Sequence, residues 1–140
     1  MPRLQRRNFD NPEHVRTFTH GWIRLVSLDE MTLGFLHFDP GWRWSNDIKP
    51  IAGTETCKVR HVGHVISGQL HVEADDGSSL DILPGDAYEI PPGHDAWVVG
   101  NEPFVTFEFA SSRTFAAAPV DLGESILATL LFTDIVGSTA

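Results

Sequence analysis

Between Gly53 and Gly68 the chain sets Glu55, Cys57, His61 and His64 within ten positions. A carboxylate, a thiol and imidazoles together are the donor types that bind a borderline-soft divalent ion. Side chains alternate along a strand, so Glu55, Cys57 and His61 share one face by parity and His64 lies on the other. A straight strand would hold Cys57 and His61 about 13 Å apart, whereas metal–ligand bonds are only about 2.0–2.3 Å long. A shared ion therefore predicts a bend between Lys58 and Arg60. A second stretch, Pro91-Pro92-Gly93-His94-Asp95-Ala96-Trp97, puts a histidine directly after a forced corner. There His94 could reach into a cavity and close the site. The competing reading makes Cys57 an inert buried thiol and the histidines hydrogen-bonded core residues. His14, His20, His37, His64 and His71 read as packing or surface positions.

These stretches must be carried by strands. The chain has 140 residues, enough for one domain with one modest core. Short apolar runs are divided by frequent Gly, Pro and Asp-Gly signals, a pattern of an all-β fold. Trp22–Leu28, Met31–Phe38, Gln69–Ala74, Ser79–Leu83, Ala87–Ile90, Ala96–Val99 and Phe104–Ala110 read as strands, and Val65-Ile66 belongs to another. In the last strand Phe104, Thr106 and Glu108 alternate with Val105, Phe107 and Phe109. Asp10-Asn11-Pro12 offers a cap for a short helix over Glu13–Phe18. Ser45–Gly53 reads as a loop, in which Pro50 and Gly53 exclude a long helix. Eight or nine short strands at this spacing suggest a closed barrel or sandwich.

A net charge of −9 lacks the basic footprint of a nucleic-acid binder. No apolar run approaches the length of a membrane span, and no signal pattern opens the chain. The single cysteine forms no internal disulfide, so the cytoplasm is the expected location. Trp42, Trp44 and Trp97 read as core or rim aromatics, or as the wall of a small-ligand pocket. Asp95 either orients a metal-bound histidine or caps its turn.

With these residues placed, the chain resembles the cupin superfamily over most of residues 10–110. The family's double signature is Gly-x5-His-x-His-x3–4-Glu-x6-Gly, then Gly-x5-Pro-x-Gly-x2-His. In the register fixed by Gly68, His61 takes the glutamate position, and Glu55 and Cys57 take the two histidine positions. Gly85, Pro91 and Gly93 match the second motif, whose last histidine is Ala96 here, with His94 two residues earlier on the same face. The phrase Pro91–Gly100 resembles a subgroup of small bacterial cupins that pairs a cysteine and a histidine in the first motif.

The resemblance implies a cupin-type double-stranded β-helix, a jelly-roll barrel, here with a short N-terminal helix. It also implies a homodimer and a metal inside one end of the barrel, held by Cys57, His61, His94 and Glu55. Cupin oxygenases often use three histidines and a glutamate, and this chain departs from that set at every ligand position. Its mixed set suits zinc first, with iron or copper as alternatives.

Residues 111–125 read as a linker. Leu130–Thr139 resembles the opening strand of class III adenylate and guanylate cyclase domains, where the aspartate matching Asp134 binds catalytic magnesium or manganese. The 15 residues 126–140 hold only that opening, so no cyclase activity is expected of this chain. Together these readings predict a metal-binding cupin domain that senses a small ligand and regulates an attached cyclase. A metal-dependent oxygenase or isomerase is the rival.

Overall fold

The computed structural model describes residues 3–110, with Ala110 described by its backbone alone. The linker, the apolar run after it and Asp134 lie outside the described residues. Nine strands follow one another: β1 (His14–Phe18), β2 (Gly21–Ser27), β3 (Thr32–Phe38), β4 (His61–Ser67), β5 (Gln69–Ala74), β6 (Ser79–Ile82), β7 (Ala87–Ile90), β8 (His94–Val99) and β9 (Phe104–Ala110). Two single-turn helices, α1 (Trp44–Asp47) and α2 (Lys49–Ala52), lie between β3 and β4.

The strands form two antiparallel sheets, ordered β1-β2-β3-β9-β4-β7 and β6-β5-β8. Bridges from Arg43 to Trp97 and from Cys57 to His94 extend the smaller sheet beyond β8. The last strand thus returns between β3 and β4, and β8 pairs with β5 across the other layer. This is the crossing pattern of a jelly roll, the cupin-type double-stranded β-helix.

The core follows from strand parity. Ile23 and Leu25 of β2, Leu36 and Phe38 of β3, Val65 of β4, Leu70 and Val72 of β5, and Ala96 and Val98 of β8 all point inward and are buried. Trp42 and Trp44, each 2% exposed, close one side of this core.

One element differs from expectation. Residues 14–18 are not helical but form β1, paired with β2 in the register Arg16↔Ile23 and Thr17↔Trp22. Val15, Thr17 and Phe18 favour extended backbone, and the open edge of β2 offers a ladder that a lone short helix cannot match. Ser45–Gly53 turns once at each of α1 and α2, and Pro50 sits in the first turn of α2.

Gly68 joins β4 to β5 at φ +81°, and a β-carbon there would run into the Pro103 carbonyl oxygen. Both the left-handed backbone and the collision with rigid main chain oppose any side chain. Gly68→Ala is expected to lower stability by about 3 kcal/mol, read from the urea unfolding midpoint. A loss under about 1 kcal/mol would show that the turn relaxes freely.

Candidate metal centre

The chain leaves extended conformation between Cys57 and His61, and residues 58–60 belong to no strand. That bend brings the Cys57 Sγ to 3.5 Å from His61 Nε2. His94 joins them from β8. Backbone bonds tie the two segments directly: Cys57 N–H donates to the His94 carbonyl at 2.8 Å, and Gly93 N–H donates to the Cys57 carbonyl at 2.7 Å. Among the described residues, Cys57, His61 and His94 form the one cluster of three suitable donors, with donor atoms all within 4.8 Å of one another. All three are buried, at 1%, 4% and 3% exposure.

Each imidazole is oriented by its other nitrogen. His94 Nδ1–H donates to the Pro91 carbonyl at 2.8 Å, a bond built by the Pro-Pro-Gly corner, and leaves Nε2 for the cluster. His61 Nδ1–H donates to Glu108 Oε1 at 2.7 Å, so its Nε2 faces Cys57. Such outer partners fix tautomer and ring direction in metal sites.

Glu108, at 4% exposure, is the residue that motif reasoning passes over. Its signal lay in the alternation of β9, where Phe104, Thr106 and Glu108 share the inward face. Its second oxygen accepts from the Tyr88 hydroxyl at 2.7 Å, and that hydroxyl also meets Thr106 Oγ1 at 2.9 Å. The sheet register explains the contact. Gly63 of β4 is paired with Tyr88 on one side and Glu108 on the other. A β-carbon on Gly63 would lie 2.6 Å from the Tyr88 hydroxyl oxygen, so only a bare position lets the phenol cross to Glu108.

The electrostatics follow from these contacts. Burial pushes the Cys57 thiol up, but hydrogen bonds from His61 and His94 and the charges of both rings outweigh it and bring it down to about 6. Burial pushes His61 down. The Glu108 charge and the hydrogen bonds with Cys57 and Glu108 prevail and lift it to about 10. Burial and the neighbouring Glu108 charge push the Tyr88 hydroxyl well above its ordinary range, so it remains a donor. Both shifts act in one direction, favouring a proton on His61 over one on Cys57 in the metal-free protein.

The remaining expected site residues divide. Glu55 stands outside the cluster: its side chain is 90% exposed and its carboxylate pairs with Lys49 at 2.9 Å. Position 55 lies before the chain turns inward at Cys57, so its parity with Cys57 does not carry into the barrel. Asp95 does not orient His94. It accepts from Arg43 and from the Ser45 backbone N–H, each at 3.1 Å, holding the start of α1 against β8. Trp42 and Trp44 line a cavity with His61, His94, Tyr88 and Glu108. Trp97 faces away from it, with the Arg43 guanidinium 4.2 Å from its ring centre. The cavity has room for the centre of a water-sized sphere over only about 20 Å³, far below the roughly 300–1,000 Å³ of ordinary organic-ligand pockets. That is room on the scale of a single water-sized group; a wall of three tryptophans around a larger molecule does not form. His20, His37 and His71 meet Asp47, Asp39 and Asp81 respectively, away from the cluster.

The donor set fits a divalent ion. Tetrahedral zinc with one sulfur and one nitrogen ligand separates those atoms by about 3.5 Å, and Cys57 Sγ and His61 Nε2 stand 3.5 Å apart.

No protein-family model matches the chain, and no curated protein does. Solved structures do. A protein of unknown function from Rhizobium leguminosarum bv. viciae is similar at 20% identity and a TM-score of 0.51, over 77% of this chain and 96% of its own. A protein of unknown function (DUF1255) from Acidithiobacillus ferrooxidans gives 19% identity and a TM-score of 0.51, over 71% and 88%. A cupin-like protein from Thermotoga maritima gives 19% and 0.46, over 76% and 74%. At these identities the first two likenesses speak for the fold alone.

Proposed function

We propose that this domain binds one divalent metal ion, zinc first, through Cys57 Sγ, His61 Nε2 and His94 Nε2, and acts as a metal-dependent sensing module. The observation that carries the reading is the convergence of three buried donors within 4.8 Å, from segments that the backbone clasps together. A bound ion would supply Lewis acidity and a fixed positive charge. The chain's own part is to supply a thiolate, to hold both imidazoles by Glu108 and Pro91, and to exclude bulk water with Trp42, Trp44 and Phe38. Regulation of an attached cyclase is the extension suggested by the sequence resemblance of Leu130–Thr139, and a homodimer belongs to the same proposal. No helix among the described residues is long and apolar enough to cross a membrane.

One observation favours a catalytic reading as the second choice. Three protein ligands leave a coordination position open, as in catalytic zinc sites, and the Tyr88–Glu108–His61 chain adjoins it. Oxygen uptake by iron-loaded protein across a panel of small substrates would separate catalysis from sensing.

The metal reading is tested by elemental analysis of protein prepared without chelator or metal-bearing resin. About one ion per chain is expected, with affinity reduced at least tenfold in Cys57→Ser, because a hydroxyl is a far poorer zinc ligand than a thiolate. Less than a tenth of an ion per chain, or equal binding by the variant, would count against it.

A further inference from the structure

We propose that the outer face of the larger sheet is the surface on which two copies of this chain meet, related by a two-fold axis. The proposal gives the homodimer of the reading above its contact surface. It does not depend on the metal, so the two can fail separately.

The face is built by strand parity. The inward positions of β2, β3 and β9 fill the core, so Trp22, Phe35 and Phe107 stand outward. The register sets Phe35 beside Phe107, and their rings stack at a centroid distance of 4.9 Å. Trp22 meets Phe35 edge-on at 5.7 Å. The arm before β1 adds Phe9, whose ring lies 5.6 Å from both Phe35 and Phe107. Arg3 holds that arm down through two bonds to the Asp29 carboxylate, at 2.9 and 3.0 Å. Around this aromatic layer Val15, Ile66 and Phe109 are 53%, 45% and 42% exposed. None of these side chains belongs to the buried core or lines the metal cavity.

Charge says what the face can meet. The chain holds 19 acidic residues, yet the outward positions of β1, β2, β3, β4 and β9 carry none. Asp39 and Glu89 stand at the rim, each paired with a base, His37 and Arg60 respectively. The outer face of the smaller sheet differs, since Glu73, Asp81 and Asp95 project from it. A chain of net charge −9 repels its own copy wherever carboxylates oppose one another. Approach is opposed there and permitted on the larger sheet. The one guanidinium on this face, Arg24, lies over the Trp22 ring at 4.4 Å, too little charge to select an acidic partner. Aromatic and arginine side chains with few other charges are the composition of an interface centre. A flat face of that kind matches itself under a two-fold rotation.

Size agrees. Five strands about 4.8 Å apart, read over about seven residues of about 3.4 Å each, span roughly 500 Å². The surrounding rim brings this towards the ~800 Å² per partner of a standard interface.

Sedimentation equilibrium of the full chain is the test, run with and without chelator. A dimer is expected at about 100 µM, since interfaces of standard size bind in the micromolar range or tighter, and chelator should leave it intact. Ile66→Glu combined with Phe109→Glu should raise the dissociation constant at least a hundredfold, because each places a charge at the contact. Both side chains are exposed, so circular dichroism should be unchanged; Val15→Lys replaces the pair should it not fold. Leu80→Glu, at a 56% exposed position on the smaller sheet, should leave the dimer as it was. A monomeric wild type at about 100 µM overturns the inference. So does a dimer that persists in the face variants, which is then held by another surface, residues 126–136 included. Equal loss of the dimer in Leu80→Glu overturns it as well. None of these outcomes bears on the metal content.

Discussion

Glu108→Ala should destabilise the metal-free protein by about 3 kcal/mol, the low end of the cost of breaking a buried charge pair from one side. The Glu108 carboxylate, 4% exposed, accepts from His61 Nδ1 and from the Tyr88 hydroxyl, both at 2.7 Å. Alanine withdraws the anion from a ring that burial alone would hold neutral, and removes the acceptor of the phenol. Cys57 remains beside His61 Nε2, which is why the low end of the range applies. A cavity term adds to the loss, since the side chain is buried against His61 and Tyr88. Glu108→Gln keeps the volume and an acceptor for Tyr88 while removing the charge. It should recover about half of the loss. Guanidinium unfolding of chelator-treated protein gives both values. A loss below about 1 kcal/mol for the alanine variant would mean that β9 does not hold the site through this carboxylate.

Glu108 also marks where the sequence is legible and where it is not. Period-two alternation places Thr106 and Glu108 on the same inward face as Phe104, and the structure keeps that parity. Parity names a face but not a neighbour. That Glu108 meets His61 depends on β9 returning between β3 and β4, a pairing across 47 residues of chain. Cys57 and His61 are readable because they are local: a shared ion would require a bend between them, and the three intervening residues leave the strand and bring the two side chains together. His94 was readable from its Pro-Pro-Gly corner, which fixes both the turn and the carbonyl that orients the ring. Glu55 misled for the same reason that Cys57 informed. Strand parity was extended through residues that are not in a strand, and the carboxylate lies out with Lys49. The helix expected at Glu13–Phe18 failed through tertiary context, since its cap residues are local signals while the edge of β2 is not.

Metal affinity should rise about tenfold for each unit of pH between roughly 7 and 9, a hundredfold across that window. The sign follows from where the protons are before the ion arrives. Cys57, lowered to about 6, is already a thiolate throughout the window and gives up nothing. His61, raised to about 10, carries a proton on each ring nitrogen. The Nδ1 proton is kept for Glu108, and the Nε2 proton must leave before that nitrogen can bind the ion. One proton is therefore released per ion, and lower pH opposes binding by one power of ten per unit. Near pH 10 the dependence flattens as His61 loses its proton unaided. Below pH 6 it steepens, because Cys57 must then be deprotonated as well. Competition against a chelator of known pH dependence measures the slope. Calorimetry in buffers of differing ionisation enthalpy counts the released proton independently. A flat affinity from pH 7 to 9, or no proton released, would place the His61 proton elsewhere and undo the thiolate–imidazolium–carboxylate assignment. Two protons per ion in the same window would instead mean that Cys57 remains a thiol until the metal displaces its proton, with burial outweighing the hydrogen bonds of His61 and His94.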